Sequence, residues 1–352
     1  SPAIPPHNRY LQAAGDAGIP VTTEICLFAQ RCPAPVIAVT ATKGKSTTST
    51  LLQRMLAARK TTWFGGNIGK SLLAELPNIQ PDHLVVLELS SFMLHHLGAM
   101  RWSPHVAVVP MISADHLDWH GSEEAYVDAK RNIVRFQRPS DFAVLNQDNA
   151  MAFSFSADTA AKVIPFTSRT QQRFELKLPG EHNQLNAQAA FAAAQLFGVD
   201  WQSAQQSISD FTGLAHRLQT VHESNGVRFV NDSISTNPEA AIAALNSFPA
   251  GKVIQIIGGS GKKELPIDEL CAALSAKAKA VLCIGETADR LAAVLPPGKM
   301  HLSGTLANAV QQATTIATDG DIVLLSPGHP SYDQFSNFEH RGAEFSRLVS
   351  GL

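Results

Sequence analysis

The chain reads as α/β, with two successive units that each hold a parallel sheet. Three observations support this. Short apolar runs alternate with helical patterns from Val36 onward. The same alternation restarts near Leu214. Most of the runs end in Gly, Ser, Asn, Asp or Glu, at the carboxyl ends where such sheets place ligands.

The totals agree. A length of 352 residues suits two or three domains at about 100–200 residues each. Hydrophobic residues make up 45% and charged residues 16%, enough for a sizeable core. A formal net charge of -2 gives no electrostatic case for nucleic acid or an acidic membrane. Cys26, Cys32, Cys271 and Cys283 follow no metal or disulfide spacing, which points to a reducing cytoplasm. There is no apolar run of ~18 residues. The chain starts at Ser1 without an initiator Met or a charged-then-apolar leader, so an upstream piece is expected.

Residues 1–23 are Pro-rich with a short helical pattern from Leu11 to Ala17, and look like the tail of a preceding domain. Val36 to Val39 form a buried strand. A turn through Thr42, Lys43 and Gly44 follows, then a helix from Lys45 to about Ala58. Backbone N–H groups of such a turn and helix start cradle an anion. Lys45 would reach the phosphates of a nucleotide, and the Ser46 or Thr47 hydroxyl would ligate Mg²⁺. The match to a P-loop is partial, because Val39 stands where the general pattern has Gly. An ordinary capped, Ser/Thr-rich helix start is the plain alternative.

Leu84 to Leu89 is a second buried strand, carrying Glu88 two residues before Ser90. At a sheet's carboxyl end this carboxylate can face phosphates and hold Mg²⁺, or simply meet solvent. His105 to Met111 leads to Asp115-His116-Leu117-Asp118-Trp119-His120. His116 and His120 have the spacing of a zinc helix but lack the Glu of the metalloprotease pattern, and an Asp helix cap reads as well. Lys130 lies on the next helix and, by spacing alone, is a surface lysine. After the strand Phe142 to Asn146, Asn183 and Asn186 open an Ala-rich helix reaching Phe197. Their amides can pair with base edges or cap the helix.

The second unit has strands at Arg228 to Asn231, Val253 to Ile257, Ala280 to Ile284 and Ile322 to Leu325. Arg217 suits bidentate phosphate contact, with a surface Arg as the alternative. Asp232 can accept from ribose hydroxyls. Gly258-Gly259-Ser260-Gly261-Lys262 is a second Gly-rich turn, and Ser326 to Phe335 is a third strand end.

Together these stretches resemble the Mur ligases of bacterial peptidoglycan synthesis, and within them the glutamate-adding branch. Gly65-Gly66-Asn67-Ile68-Gly69, Leu87-Glu88-Leu89-Ser90-Ser91-Phe92, Asp115-His116-Leu117-Asp118, His182-Asn183-Gln184-Leu185-Asn186-Ala187, His216-Arg217, Asn231-Asp232-Ser233 and Asp333 to Gly342 are similar in order and spacing. The resemblance implies a UDP-binding N-terminal domain largely absent here (1–23), a central P-loop ATPase domain with a parallel-sheet core (24–213), and a C-terminal Rossmann-like domain for the incoming amino acid (214–352).

It also implies an activity. The carboxylate of UDP-N-acetylmuramoyl-L-alanine attacks the γ-phosphate of ATP, and the amine of glutamate then displaces phosphate from the acyl phosphate. Carried over by motif, Lys45 holds phosphates, Ser46 and Glu88 hold one Mg²⁺, and His116 with a carbamylated Lys130 holds a second that Glu88 shares. Asn67 and Ser90 fall to the muramoyl substrate, Asn183 and Asn186 to adenine, Asp232 to ribose and Arg217 to phosphate. Thr236, Lys262, Ser331 and Phe338 match positions around glutamate. The implied protein is a cytoplasmic monomer that meets neither nucleic acid nor membrane.

The chain departs from the family at Ile234, where Lys is usual, at Ser260, where an acid is common, and at Gly328-His329-Pro330 and Tyr332. These changes gather around the amino-acid pocket, so L-glutamate is expected, with D-glutamate as the alternative. A folylpolyglutamate synthetase-like ligase and a non-catalytic nucleotide-binding module are the rivals; the Asn67 motif and the Asp333 to Gly342 segment oppose the first, and Ile234 best supports the second.

Overall fold

The computed structural model describes residues 2–4, 8–69, 71–113, 117–178, 180–262 and 265–352, with Leu117 and Asp118 described by backbone alone. The chain forms two compact units, Ser1–Thr212 and Gly213–Leu352.

In the first unit, α1 (Arg9–Asp16) and α2 (Glu24–Arg31) precede the sheet. Asn8 and Thr23 start them by accepting from the N–H groups of Tyr10 and Cys26. Then follow β1 (Val36–Val39), α3 (Lys45–Ala57), β2 (Thr62–Gly66), β3 (Leu84–Glu88), α4 (Ser91–Ala99) and β4 (Val106–Val109). After these come α5 (Leu117–His120), α6 (Glu123–Arg135), β5 (Phe142–Asn146), α7 (Ala150–Ser154), β6 (Lys162–Phe166), α8 (Glu181–Ala194) and α9 (Trp201–Ile208). The strands run parallel in the order β2-β3-β1-β4-β5-β6.

Strand β1 is central because all its residues are apolar and can be buried on both faces. Val36 and Ala38 pack with Phe28, Leu94 and Leu97. Ile37 and Val39 turn to the opposite face. Helix α3 lies on β1 and β3 and against α8. The chain runs to β2 and β3 on one side of β1, then to β4, β5 and β6 on the other. That reversal opens a crevice at the carboxyl end of β1, where the phosphate-type turn sits.

The second unit comprises β7 (Gln219–Ser224), β8 (Val227–Asn231), α10 (Pro238–Asn246), β9 (Val253–Gly258), α11 (Asp268–Lys277), β10 (Ala278–Ile284), α12 (Ala288–Ala292), β11 (Met300–Gly304), α13 (Leu306–Ile316), β12 (Ile322–Leu325) and α14 (Phe338–Val349). Its order is β11-β10-β9-β12-β8-β7, parallel except for β7 against β8. Val230, Val253, Ile257 and Leu324 pack with Leu245, Leu270 and Leu274 on one face. Phe229, Ile254, Ile256 and Val323 pack with Val310, Phe345 and Val349 on the other. This two-faced alternation is the α/β architecture expected from the sequence.

Two local features differ from the sequence reading. The strands β2, β6, β7 and β11 were not expected, and all four are sheet edges. The Ala-rich helix starts earlier, at Glu181, and tightens into a 3₁₀ turn at Gln195–Phe197 before Gly198 ends it at φ 80°. Among the described residues no helix is long and apolar enough to cross a membrane.

Ile37 is fully buried at 0% exposure in the central strand. Ile37→Ala should lower the unfolding free energy by about 3 kcal/mol and Ile37→Val by about 1 kcal/mol, read from urea unfolding. Equal effects would mean a loosely packed centre.

Candidate active site

Gly44 is the N-cap of α3, with φ 84° and ψ -1°, and as glycine it offers no side chain to cap the helix. The helix start is therefore left to its backbone N–H groups and dipole, which suits a phosphate. A Cβ at Gly44 would stand 2.3 Å from Asn186 Oδ1, so the left-handed conformation and the close approach both demand glycine. Asn186 Oδ1 accepts from Thr48 Oγ1 at 3.2 Å, and its Nδ2 donates to Asn183 Oδ1 at 3.4 Å. Both amides are buried beside the turn. Lys45 Nζ folds back onto the turn, donating to the carbonyls of Ala41 at 2.6 Å and Thr42 at 3.3 Å. Ser46 is buried, Thr47 half-buried and Lys43 exposed.

The neighbouring strand ends bring further groups. Thr40 Oγ1 donates to Leu89 O at 2.8 Å and ties the end of β1 to that of β3. Glu88 is 1% exposed. Its Oε1 accepts from Asn67 Nδ2 at 2.8 Å, while its Oε2 is buried without a hydrogen-bond partner among the described residues. A Cβ at Gly66 would meet Glu88 O at 2.3 Å, so glycine there lets β2 deliver Asn67 to Glu88. An unpartnered buried carboxylate oxygen is costly, and a divalent cation is the partner that such hard oxygens suit. The residues thus fit a metal at Glu88. Ser90 accepts from the Met93 N–H and starts α4.

Lys130 is not the surface residue that spacing alone suggests. It is 1% exposed, and its Nζ donates to Thr40 Oγ1 and Ala41 O, each at 3.2 Å. Helix α6 turns Ala129, Lys130 and Ile133 inward, so the head group lands on the phosphate-type turn. His116 lies outside the described residues. No cluster of three or more His, Cys, Asp or Glu side chains occurs among the described residues.

In the second unit the strand ends of β8, β9 and β12 carry the candidates. Asp232 is buried, accepting from Leu218 N at 3.1 Å, Ser235 Oγ at 2.5 Å and Ser326 Oγ at 2.7 Å. Burial pushes its carboxyl above the ordinary range against the pull of these bonds and of nearby Arg217. Arg217 and Lys262 are exposed, Thr236 and Phe338 half-buried, and Ser331 buried. Phe338 O accepts from Ser233 Oγ at 2.8 Å.

Arg341 had no role in the sequence reading, yet it organises this edge. It is 1% exposed and donates to Ser233 Oγ at 3.0 Å, Ser233 O at 2.9 Å and His329 O at 3.0 Å. Burial pushes its guanidinium down to about 10. Its signal was present: Arg341, Phe345 and Val349 are spaced four apart on the buried stripe of α14.

Gly44→Ala tests the turn. Strain at φ 84° and the clash with Asn186 should weaken binding of an ATP analogue at least about tenfold. Calorimetry reads this directly, and unchanged affinity would show that the turn does not hold the nucleotide.

Comparison with known proteins joins these observations. Residues 39–174 match the family model of the Mur ligase middle domain, and residues 216–329 match that of the Mur ligase glutamate ligase domain. The UDP-N-acetylmuramoylalanine--D-glutamate ligase of Symbiobacterium thermophilum is 37% identical over 383 residues, covering 100% of this chain and 83% of the relative. That of Roseiflexus is 39% identical over 392 residues, covering 100% and 84%. The solved MurF ligase of Thermotoga maritima, in complex with ADP, aligns with a TM-score of 0.62 at 19% identity over 95% of this chain and 86% of that one, a likeness of fold. The relatives are named for D-glutamate, so the expectation of L-glutamate gives way to its D-glutamate alternative. With both family models matched in order on the two units, the chain belongs to the Mur ligase family.

Proposed function

We propose that this chain is the ligase that joins D-glutamate to UDP-N-acetylmuramoyl-L-alanine at the expense of ATP. One observation supports this above the rest. A helix start with a glycine cap, the Lys45 and Lys130 head groups on the turn after β1, and a Glu88 oxygen with no partner among the described residues lie at adjoining strand ends of one sheet. That grouping suits phosphate and metal together.

Bound ATP supplies the phosphoryl group that activates the substrate carboxylate, and Mg²⁺ screens the phosphate charge. The chain's own residues do the rest by positioning and electrostatics. The α3 N–H groups and Lys45 bind phosphate oxygens. Glu88 and Ser46 would hold the cation, and Lys130, as a carbamate, would hold a second with His116. An ammonium cannot ligate Mg²⁺, whereas a carbamate offers anionic oxygens. Asn67, already fixed by Glu88, would orient the muramoyl substrate, with Ser90 beside it. Asn183 and Asn186 would border the adenine, Asp232 the ribose and Arg217 the phosphates.

Thr236, Lys262, Ser331 and Phe338 would receive glutamate. Lys262 keeps a cation for one carboxylate, and exposed Ile234 replaces the usual second cation with an apolar surface. The D-glutamate reading rests on the relatives' names.

Two measurements check the reading. Lys45→Ala and Glu88→Gln should each cut phosphate release dependent on both co-substrates by at least about a hundredfold, with melting temperature little changed. Turnover like that of the parent in either variant sinks the assignment. In competition with chiral product analysis, D-glutamate should be incorporated at least about tenfold over L-glutamate, a gap of about 1.4 kcal/mol. The reverse preference would restore L-glutamate as the substrate.

A further inference from the structure

One oxygen joins three segments of the first unit. Thr42 Oγ1 lies 2.9 Å from Ser113 O, 3.0 Å from the Ser113 N–H and 3.0 Å from the Tyr126 hydroxyl. A hydroxyl has one proton and two lone pairs. The carbonyl of Ser113 can only accept, so it takes the Thr42 proton. The Ser113 N–H can only donate, so it fills one lone pair. With both of those bonds made, the second lone pair is left for the Tyr126 hydroxyl to donate into.

Tyr126 has a second contact of a different kind. It is 1% exposed, and Lys130 Nζ lies 4.9 Å from its ring centroid, one helical turn along α6, so the ring walls the space the head group occupies whatever its charge. His120 packs edge-on against the same ring at 5.5 Å and 74°. The His120 Nε2 lies 3.0 Å from Ser91 Oγ, at the start of the helix that follows Glu88. A tyrosine orders both contacts through a rigid ring with few rotatable bonds.

We propose that Tyr126 is a positioning residue, whose hydroxyl fixes the phosphate turn through Thr42 while its ring fixes the head group of Lys130. This rests on the reading that the turn binds ATP and that Lys130 carries a carbamate. The two handles separate by substitution. Tyr126→Phe removes the donor and keeps the ring. Tyr126→Leu removes both.

The test uses the whole chain and three readouts: affinity for a non-hydrolysable ATP analogue, the carbon-13 carbamate resonance after labelling with bicarbonate, and KM for ATP against kcat. Tyr126→Phe should weaken analogue binding and raise KM for ATP by about three- to tenfold, the worth of one hydrogen bond, with the carbamate signal kept. Tyr126→Leu should also lose the carbamate signal, and kcat with it. Tyr126→Phe with parental affinity and KM would overturn the hydroxyl's role. A Leu variant with an intact carbamate would overturn the ring's role. A fall in melting temperature alone, in both variants, would make Tyr126 an ordinary core tyrosine and overturn both. Lys45→Ala, run in parallel, separates the failures: if it too leaves analogue affinity unchanged, the phosphate-turn reading has failed. Lack of a carbamate signal in the parent removes the Lys130 reading and with it the ring's role.

Discussion

The constraint on which the first unit depends is the left-handed bend at Gly44. It allows β1 to end and α3 to begin with no side chain between the helix N–H groups and a ligand. Everything around it is fitted to that turn. Asn186 closes to within a distance that excludes a Cβ, Thr40 links it to β3, and Thr42 links it to Ser113 and Tyr126. Lys130 and Glu88 are buried beside it, which would be costly for charged groups in a plain core. Under the proposed function their burial has a use, because two polyanionic substrates approach each other only where charge is supplied.

Much of the fold was legible because parallel strands buried on both faces leave continuous apolar runs. β1, β3, β4, β5, β8, β9, β10 and β12 all showed such runs. The four edge strands did not, for one reason: a neighbour on one side only leaves them half-wet. Gln219–Ser224 is polar throughout except Val221, and Lys162–Phe166 contains Pro165, which an edge tolerates. The candidate site was legible unevenly. Gly44, Lys45 and Glu88 announced themselves by position at strand ends. Lys130 was placed by resemblance alone, because an inward lysine and a surface lysine look the same in a single sequence. Tyr126 and Arg341 lay on the buried stripes of their helices, where a single sequence gives a side chain no role of its own.

The amino-acid edge shows a second limit. The departures at Ile234, Ser260, His329 and Tyr332 were read as a change of handedness in the substrate. In the structure they have unlike surroundings. Ile234 and Tyr332 are exposed, at 37% and 64%, whereas His329 and Ser260 are buried. His329 is held by Pro327 O at 3.2 Å, and Ser260 reaches toward Glu286 at 3.4 Å. Four positions with such different environments do not make one mirror-image pocket. A single residue's chemistry shows that a wall changed, and chirality is a property of several walls at once.

The guanidinium of Arg341 has a consequence for how the second unit opens. It clamps the loop after β8 to the loop after β12, and the backbone continues the clamp from Gly328 N to Ser235 O at 2.9 Å and from Ser260 N to Pro330 O at 2.8 Å. Residues 326–331 have no regular secondary structure, yet they are stitched to three strand ends. Such a segment has no local route to solvent. The amides of Ser326 and Gly328 are bonded to the strand β9 and to the loop after β8, so their exchange with water is expected to follow the opening of the sheet. An irregular segment held in this way is tied to the sheet as closely as a strand is.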